Sequence, residues 1–336
     1  MTILGIDGEK FKINGEYTYK GRIYEGKLVE GLLFNVRAVQ AIFDDENPET
    51  RTLWVYPDTG IWDPSRNTEE FINALPEWKS YGILGFTINL QGGMPIVRTE
   101  FSQPWVNTAF YPDGTLKQSY LDRLRKVLEE ADRLEMVCIV GFFYFGQDER
   151  LESEKAVISG VENATSWLLA SGFKNIIIEI NNEANVPAYQ HEILQPHRVH
   201  ELIIRAKEIT DGKIPVSTSF CGGVVPPPPV LENSDVILVH GNGLTPERLK
   251  KLVDDIRETS QFKQKPKPIV FNEDGTDIIN LVAAFEKYSS WGYYDQGLNN
   301  YYDGFQSPPV NWRVNTETKK RFFNKVAEIT GNAARG

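Results

Sequence analysis

Apolar residues along this chain follow two alternating rhythms. Short, nearly unbroken runs rich in β-branched and aromatic residues occupy positions 32–43, 83–90, 136–145, 176–180, 214–220, 236–240, 269–271 and 291–294. Between them, apolar residues recur every three or four positions, the spacing of one helix face. Leu121, Leu124, Val127, Leu128, Ala131 and Leu134 form one such stripe. Val199, Leu202, Ile203, Ala206 and Ile209 form another, and Leu249, Leu252, Val253 and Ile256 a third, opened by Thr245 as cap and Pro246 at the first helical position. Stripes around Phe71, Val157 and Ile278 and a last helix over 318–329 complete the set.

Runs that are continuous rather than alternating imply strands buried on both faces, and hence a parallel sheet. Eight such strands with intervening helices predict an α/β fold, a (β/α)8 TIM barrel with long βα loops. Ahead of it, Phe11, Ile13 and Tyr17 flank Asn14-Gly15, a two-residue turn signal, so residues 1–31 read as a short N-terminal β-hairpin extension. The rival, an open doubly wound sheet, usually carries a glycine-rich phosphate loop after its first strand. Gly92-Gly93 and Gly222-Gly223 lack that spacing. The four prolines at 226–229 read as a rigid polyproline loop. No composition shift marks a boundary, so 1–336 is expected to form a single barrel domain.

Composition narrows the function. With 41% hydrophobic and 24% charged residues the chain is expected to fold. The longest apolar runs are about half a membrane span, so no membrane helix is expected. A net charge of −10 repels phosphate backbones and disfavours nucleic acid as a partner. The N-terminus lacks a basic segment followed by a long apolar one, which favours the cytoplasm unless a signal was trimmed. Of two cysteines, Cys138 lies in an apolar run and reads as core; Cys221 stands beside Gly222-Gly223 without a Cys-His signature.

Chemistry concentrates where the strands end. Asn89 and Gln91 follow the second strand, Gln147 and Asp148 the third, and Asn181, Asn182 and Glu183 the fourth. His240 and Asn242 close the sixth, and Asn272, Glu273 and Asp274 the seventh. In a barrel these ends share one face, the face that carries active sites. Asn-Glu directly follows both the fourth and seventh strands, which lie roughly across the mouth, so Glu183 and Glu273 are placed to reach one substrate from opposite sides. Two facing carboxylates suit glycoside hydrolysis, one protonating the leaving oxygen and the other staying ionised. Alternation along the fourth strand puts Glu179 on the same side as Asn181 and Glu183, where a buried carboxylate needs a partner such as Arg37. Asp274, next to Glu273, should point away and be structural.

Asn182-Glu183 and Glu273 at these positions resemble the signature of the retaining (β/α)8 glycoside hydrolases of clan A, which includes the cellulase-like family 5 enzymes. The likeness spans roughly residues 32–330, although its motifs are only a few residues long. It implies Glu183 as acid/base, Glu273 as nucleophile, and Asn182 as a ligand for the hydroxyl beside the anomeric carbon. The clan often has an arginine near the end of strand two; here that strand ends Thr87-Ile88-Asn89-Leu90-Gln91, and Arg37 in the first run is the candidate cation for Glu273. The clan often has a tyrosine near strand six or seven that bonds the nucleophile; here strand six ends His240-Gly241-Asn242-Gly243.

Aromatic residues make up 12% of the chain, and sugars stack their C–H faces on such rings. Substrate contacts are expected from Asn182, His240, Arg37, Gln91, Asn89, Trp105, Tyr144 and Trp291. No calcium-loop spacing and no His-x-His or His-Glu-x-x-His occurs, so neither a catalytic metal nor any other cofactor is expected. The function expected is retaining hydrolysis of O-glycosidic bonds in an oligosaccharide or polysaccharide. The alternatives are a non-catalytic carbohydrate-binding barrel and a barrel lyase or isomerase.

Overall fold

A computed structural model describes residues 1–95, 103–297 and 301–332. The chain begins with five short strands: β1 (Leu4–Asp7), β2 (Lys10–Ile13), β3 (Glu16–Tyr17), β4 (Ile23–Tyr24) and β5 (Lys27–Leu28). β1, β2 and β3 form an antiparallel sheet and β4 pairs with β5. The expected turn is present. Asn14 and Gly15 both take the left-handed backbone conformation, φ 54° and 83°, which matches the twist of the flanking strands.

Eight parallel strands follow: β6 (Asn35–Arg37), β7 (Gly85–Asn89), β8 (Val137–Phe143), β9 (Ile176–Asn181), β10 (Val216–Ser217), β11 (Ile237–His240), β12 (Ile269–Glu273) and β13 (Ser290–Tyr293). Each lies within or against one of the eight apolar runs. Their order closes from β6 through β13 into a (β/α)8 barrel, with a ladder break only between β10 and β11. That seam is joined by single bonds. Asp235 N–H donates to Val216 O at 2.9 Å, His240 N–H to Phe220 O at 3.0 Å, and Ser217 Oγ to Val236 O at 2.6 Å.

The outer layer is α1 (Pro64–Ser80), α2 (Gln118–Arg133), α3 (Glu154–Ser171), α4 (Val199–Thr210), α5 (Pro228–Asn233), α6 (Pro246–Glu258), α7 (Ser260–Gln264), α8 (Ile278–Glu286) and α9 (Glu317–Thr330). Thr245 caps α6 through its side chain, with Pro246 inside the first turn, as the sequence predicts. The proline run departs from expectation. Pro227 is extended, but Pro228 opens α5, because a ring that fixes φ near −65° and lacks an N–H costs nothing in a first turn.

The barrel interior has two zones. At its lower end, Leu33, Leu84, Val137, Ile139, Ile177, Val236, Leu238 and Val270 pack with Leu4 and Phe11 of the N-terminal sheet, which plugs the bottom. Above that plug the inward residues are polar: Asn35, Arg37, Asn89, Glu179 and Asn272 are all buried. Glycines make room for them. A methyl group on Gly141 would stand 2.4 Å from Asn89 Oδ1, and one on Gly292 2.3 Å from Asn35 Oδ1.

Candidate active site

At the upper end, β9, β11 and β12 bring three titratable side chains together. Glu183, His240 and Glu273 each place one oxygen or nitrogen within 4.8 Å of the other two. His240 Nδ1 lies 2.9 Å from Glu183 Oε1 and 3.7 Å from Glu273 Oε1. Asn242 Nδ2 donates to Glu273 Oε1 at 2.7 Å. Arg37, from β6, pairs through Nε with Glu273 and donates through a second nitrogen to Asn182 Oδ1. Glu179 lies beneath, 3.8 Å from the same guanidinium, and accepts from Asn272 Nδ2 at 3.2 Å.

Local backbone geometry produces this convergence. Glu183 sits in the left-handed region at φ 48°, a sparsely populated conformation for a residue with a side chain. Its N–H donates to Ser219 Oγ at 2.9 Å, and the next N–H, of Ala184, donates to Ser219 O at 2.9 Å. The turn breaks the strand's alternation. Asn182 and Glu183 both reach the cluster, whereas the Asn181 side chain bonds Thr218 Oγ1 and Leu194 O. Asn181 was expected on the same side as Glu183, and the turn is the reason it is not. On β11 a register shift between Val239 and His240 sets His240 opposite Glu273.

The electrostatics follow from burial and these neighbours. Burial alone would raise the Glu183 carboxyl, but the hydrogen bond and charge of His240, with Arg37, outweigh it and hold Glu183 below the usual carboxylate range. Burial works against the His240 charge, yet Glu273 and Glu183 raise its pKa above the ordinary value of 6.5. The proton of the His240–Glu183 pair therefore rests on the imidazole. Burial and the Glu183 carboxylate push the Cys221 thiol up to about 12, so it stays protonated and is no nucleophile. Asp274 turns from Glu273 to accept from Trp291 Nε1 at 2.7 Å, and burial raises its pKa to about 6.

Of the residues expected at the site, Glu183, Glu273, His240, Arg37 and Asn182 meet in this cluster. Tyr144 stands beside it, buried and within the field of Glu273, Glu183 and Arg37. The remaining four lie elsewhere. Asn89 is sunk in the barrel against Gly141. Gln91 is fully buried and spends its amide on Thr108, the Gln147 carbonyl and the Tyr144 N–H. Trp105 is buried in an aromatic cluster with Phe43, Trp54, Tyr56 and Trp62. Trp291 packs its ring on Phe322 at 5.7 Å and gives its N–H to Asp274. Gln91, Trp105 and Trp291 are turned from a ligand because each buried polar edge found a protein partner; Asn89 has no such partner and lies buried below the site.

Asn242 was named only as a strand-end residue, and Ser219 and Tyr294 were not singled out for the site. Asn242 makes the contact to Glu273 that the resemblance assigns to a tyrosine, and its position two residues past His240 was the available signal. Nothing local marks Ser219, which acts on Glu183 from the loop after β10. Beside the cluster a cavity of about 880 Å³ opens, bounded among others by Asn242, Asp274, Thr276, Tyr294 and Gln296. The spacing of Glu183, His240 and Glu273 is one a divalent cation can span, but the donors of Arg37 and Asn242 already face Glu273 and oppose a second cation there. Among the described residues no helix is long and apolar enough to cross a membrane.

No protein-family model matches the chain, and no curated protein matches it. Solved structures do. A β-glucosidase from Thermotoga maritima superposes with a TM-score of 0.60 at 11% identity, covering 90% of this chain and 99% of that one. A β-mannanase from the blue mussel Mytilus edulis gives 0.56 at 11% identity, covering 100% and 98%. Another β-glucosidase gives 0.55 at 13%, covering 91% and 100%. At such identities the likeness establishes a shared barrel fold, and the neighbours that share it are glycoside hydrolases.

Proposed function

We propose that the protein hydrolyses O-glycosidic bonds of oligosaccharides with retention of anomeric configuration, with Glu273 as nucleophile and Glu183 as acid/base. The observation that carries this reading is the approach of one oxygen from each carboxylate to within 4.8 Å at the barrel mouth. Carboxyl groups about 5–5.5 Å apart suit direct attack on the sugar, whereas roughly 6.5–9.5 Å is needed to admit a water between them. The buried, protein-unpartnered Asn182 Nδ2 and His240 Nε2 suit a ligand rich in hydroxyl groups. The β-glucosidases and β-mannanase among the structural neighbours favour a β-linkage.

In the first step Glu273 Oε attacks the anomeric carbon and the bond to the leaving oxygen breaks. The proton resting on His240 Nδ1 passes across 2.9 Å to Glu183 and from it to that oxygen, which leaves Glu183 ionised and His240 neutral. Arg37 pairs with Glu273 and Asn242 orients it for attack. In the second step water, deprotonated by Glu183, releases the sugar from Glu273. Glu273→Ala should lower kcat on 4-nitrophenyl β-glucoside or β-mannoside by about 10⁴-fold or more. Added azide should then restore turnover by yielding an α-glycosyl azide, since it attacks from the vacated face. Near-normal turnover in the variant would overturn the assignment.

A further inference from the structure

The loops that follow β6, β7, β8 and β13 are joined by buried side-chain amides. Gln40, Gln91, Gln103, Asn107, Gln147 and Gln306 are each at most 4% exposed, which is unusual for this residue type. Several of their bonds run between loops, and others brace the β7 loop on itself. Gln40 Nε2 donates to Gly93 O at 3.1 Å, and Gln306 Nε2 to Met94 O at 2.9 Å. Gln103 Nε2 donates to Phe145 O at 2.8 Å, and Gln147 Nε2 to Trp105 O at 3.0 Å. Asn107 donates its side-chain amide to Gly92 O at 2.6 Å and its backbone N–H to Gln147 Oε1 at 3.0 Å. Ser307 Oγ adds a bond to Pro95 O.

This network presses Gly92–Gly93 onto the Tyr144 ring so closely that a methyl on Gly93 would meet it at 2.1 Å. Tyr144 in turn stands beside Glu273 and Arg37. One flank of the catalytic pair therefore abuts a bonded wall. On the other flank lies the cavity bounded by Asn242, Asp274 and Tyr294. A buried amide can leave such a network only by exposing several unpaired donors and acceptors, so the wall does not yield to a passing chain.

Building on the hydrolytic reading, we propose that this wall makes the site blind at one end, so that the protein cuts terminal sugars from oligosaccharide chains rather than internal linkages. Among the described residues, the open face beside the catalytic pair is the cavity flank bounded by Asn242, Asp274 and Tyr294.

Two measurements test this. Hydrogen exchange on the free protein should show the N–H groups of Met94, Asn107 and Tyr144, whose acceptors are Gln103, Gln147 and Gln91, protected to a degree similar to the barrel strands. Exchange within seconds at those sites would overturn the wall. Cellopentaose and mannopentaose, each tagged at the reducing end, should be shortened from one end, with matched polysaccharides losing little viscosity. Gln306→Ala with Ser307→Ala, which unlatches the β13 loop, should raise the ratio of internal to terminal products about fivefold with 4-nitrophenyl glycoside turnover unchanged. Internal cleavage by the unaltered protein at full rate overturns this inference alone. No turnover of any probe, with the wall amides protected, overturns the hydrolytic reading and this inference together.

Discussion

His240 decides how the two carboxylates differ. Glu273 is buried, Glu183 is partly buried and the two are close, and two ionised carboxylates so placed repel each other. The imidazole between them carries the proton that, in the proposed mechanism, Glu183 donates. Its raised pKa sets the direction of the pH response: the pair is protonated at low pH and loses its proton as the pH rises through a value above 6.5. kcat/KM should therefore fall on that basic limb. His240→Gln should cost about 10²–10³ in kcat, and the limb should move to lower pH, since a carboxyl then holds the proton alone. A limb that stays in place would remove His240 from the proton path. Asp274 bears on stability instead. Its folded pKa of about 6 lies above its ordinary value of 3.8, so between those values the folded state binds more protons than the unfolded state. Stability should decline as the pH rises through this window, by at most about 3 kcal/mol. Asp274→Asn should flatten that slope in melting temperature measured from pH 4 to 7.

At the scale of elements, strands and long helices were legible because their burial follows a period. All eight apolar runs hold a barrel strand, and the stripes around Leu121, Val199 and Leu249 lie on α2, α4 and α6. Strand ends were legible too, so Glu183 and Glu273 could be placed at one mouth from their neighbours in sequence. Loop side chains were not. Gln91, Trp105 and Trp291 have the composition of sugar ligands, yet protein partners that no local pattern marks take up their polar edges: the Asp274 that receives Trp291 belongs to the preceding βα loop. Lys319 illustrates the same point on α9. Its buried ammonium donates to Asn311 O at 2.8 Å and Asn315 Oδ1 at 2.9 Å and sits 4.0 Å from the Phe305 ring centroid, anchoring the segment that returns from β13. Lys319→Met keeps most of the volume and strands those acceptors. It should cost about 2 kcal/mol in denaturant unfolding, and an unchanged midpoint would mean that the segment is held elsewhere.

For the molecule as a whole, the N-terminal sheet and the candidate active site sit at opposite ends of one barrel. Phe11 is fully buried at the lower end among residues from six barrel strands or their leading edges. Phe11→Ala should lower stability by about 3–5 kcal/mol in urea unfolding while leaving kcat on an aryl glycoside within twofold. A matching loss of kcat would show that the plug and the catalytic mouth are coupled. The amino-acid sequence by itself determined the alternation of strand and helix, the parallel barrel, the hairpin turn at Asn14-Gly15 and the strand ends that carry two glutamates, because each rests on local periodicity or local backbone preference. Only the tertiary structure decided the left-handed turn at Glu183, the bond from Arg37 to Asn182, the contact of Asn242 with Glu273 and the amide wall. Those depend on contacts between residues far apart in the chain, where desolvation forces each polar group to find whatever partner the closed barrel brings near.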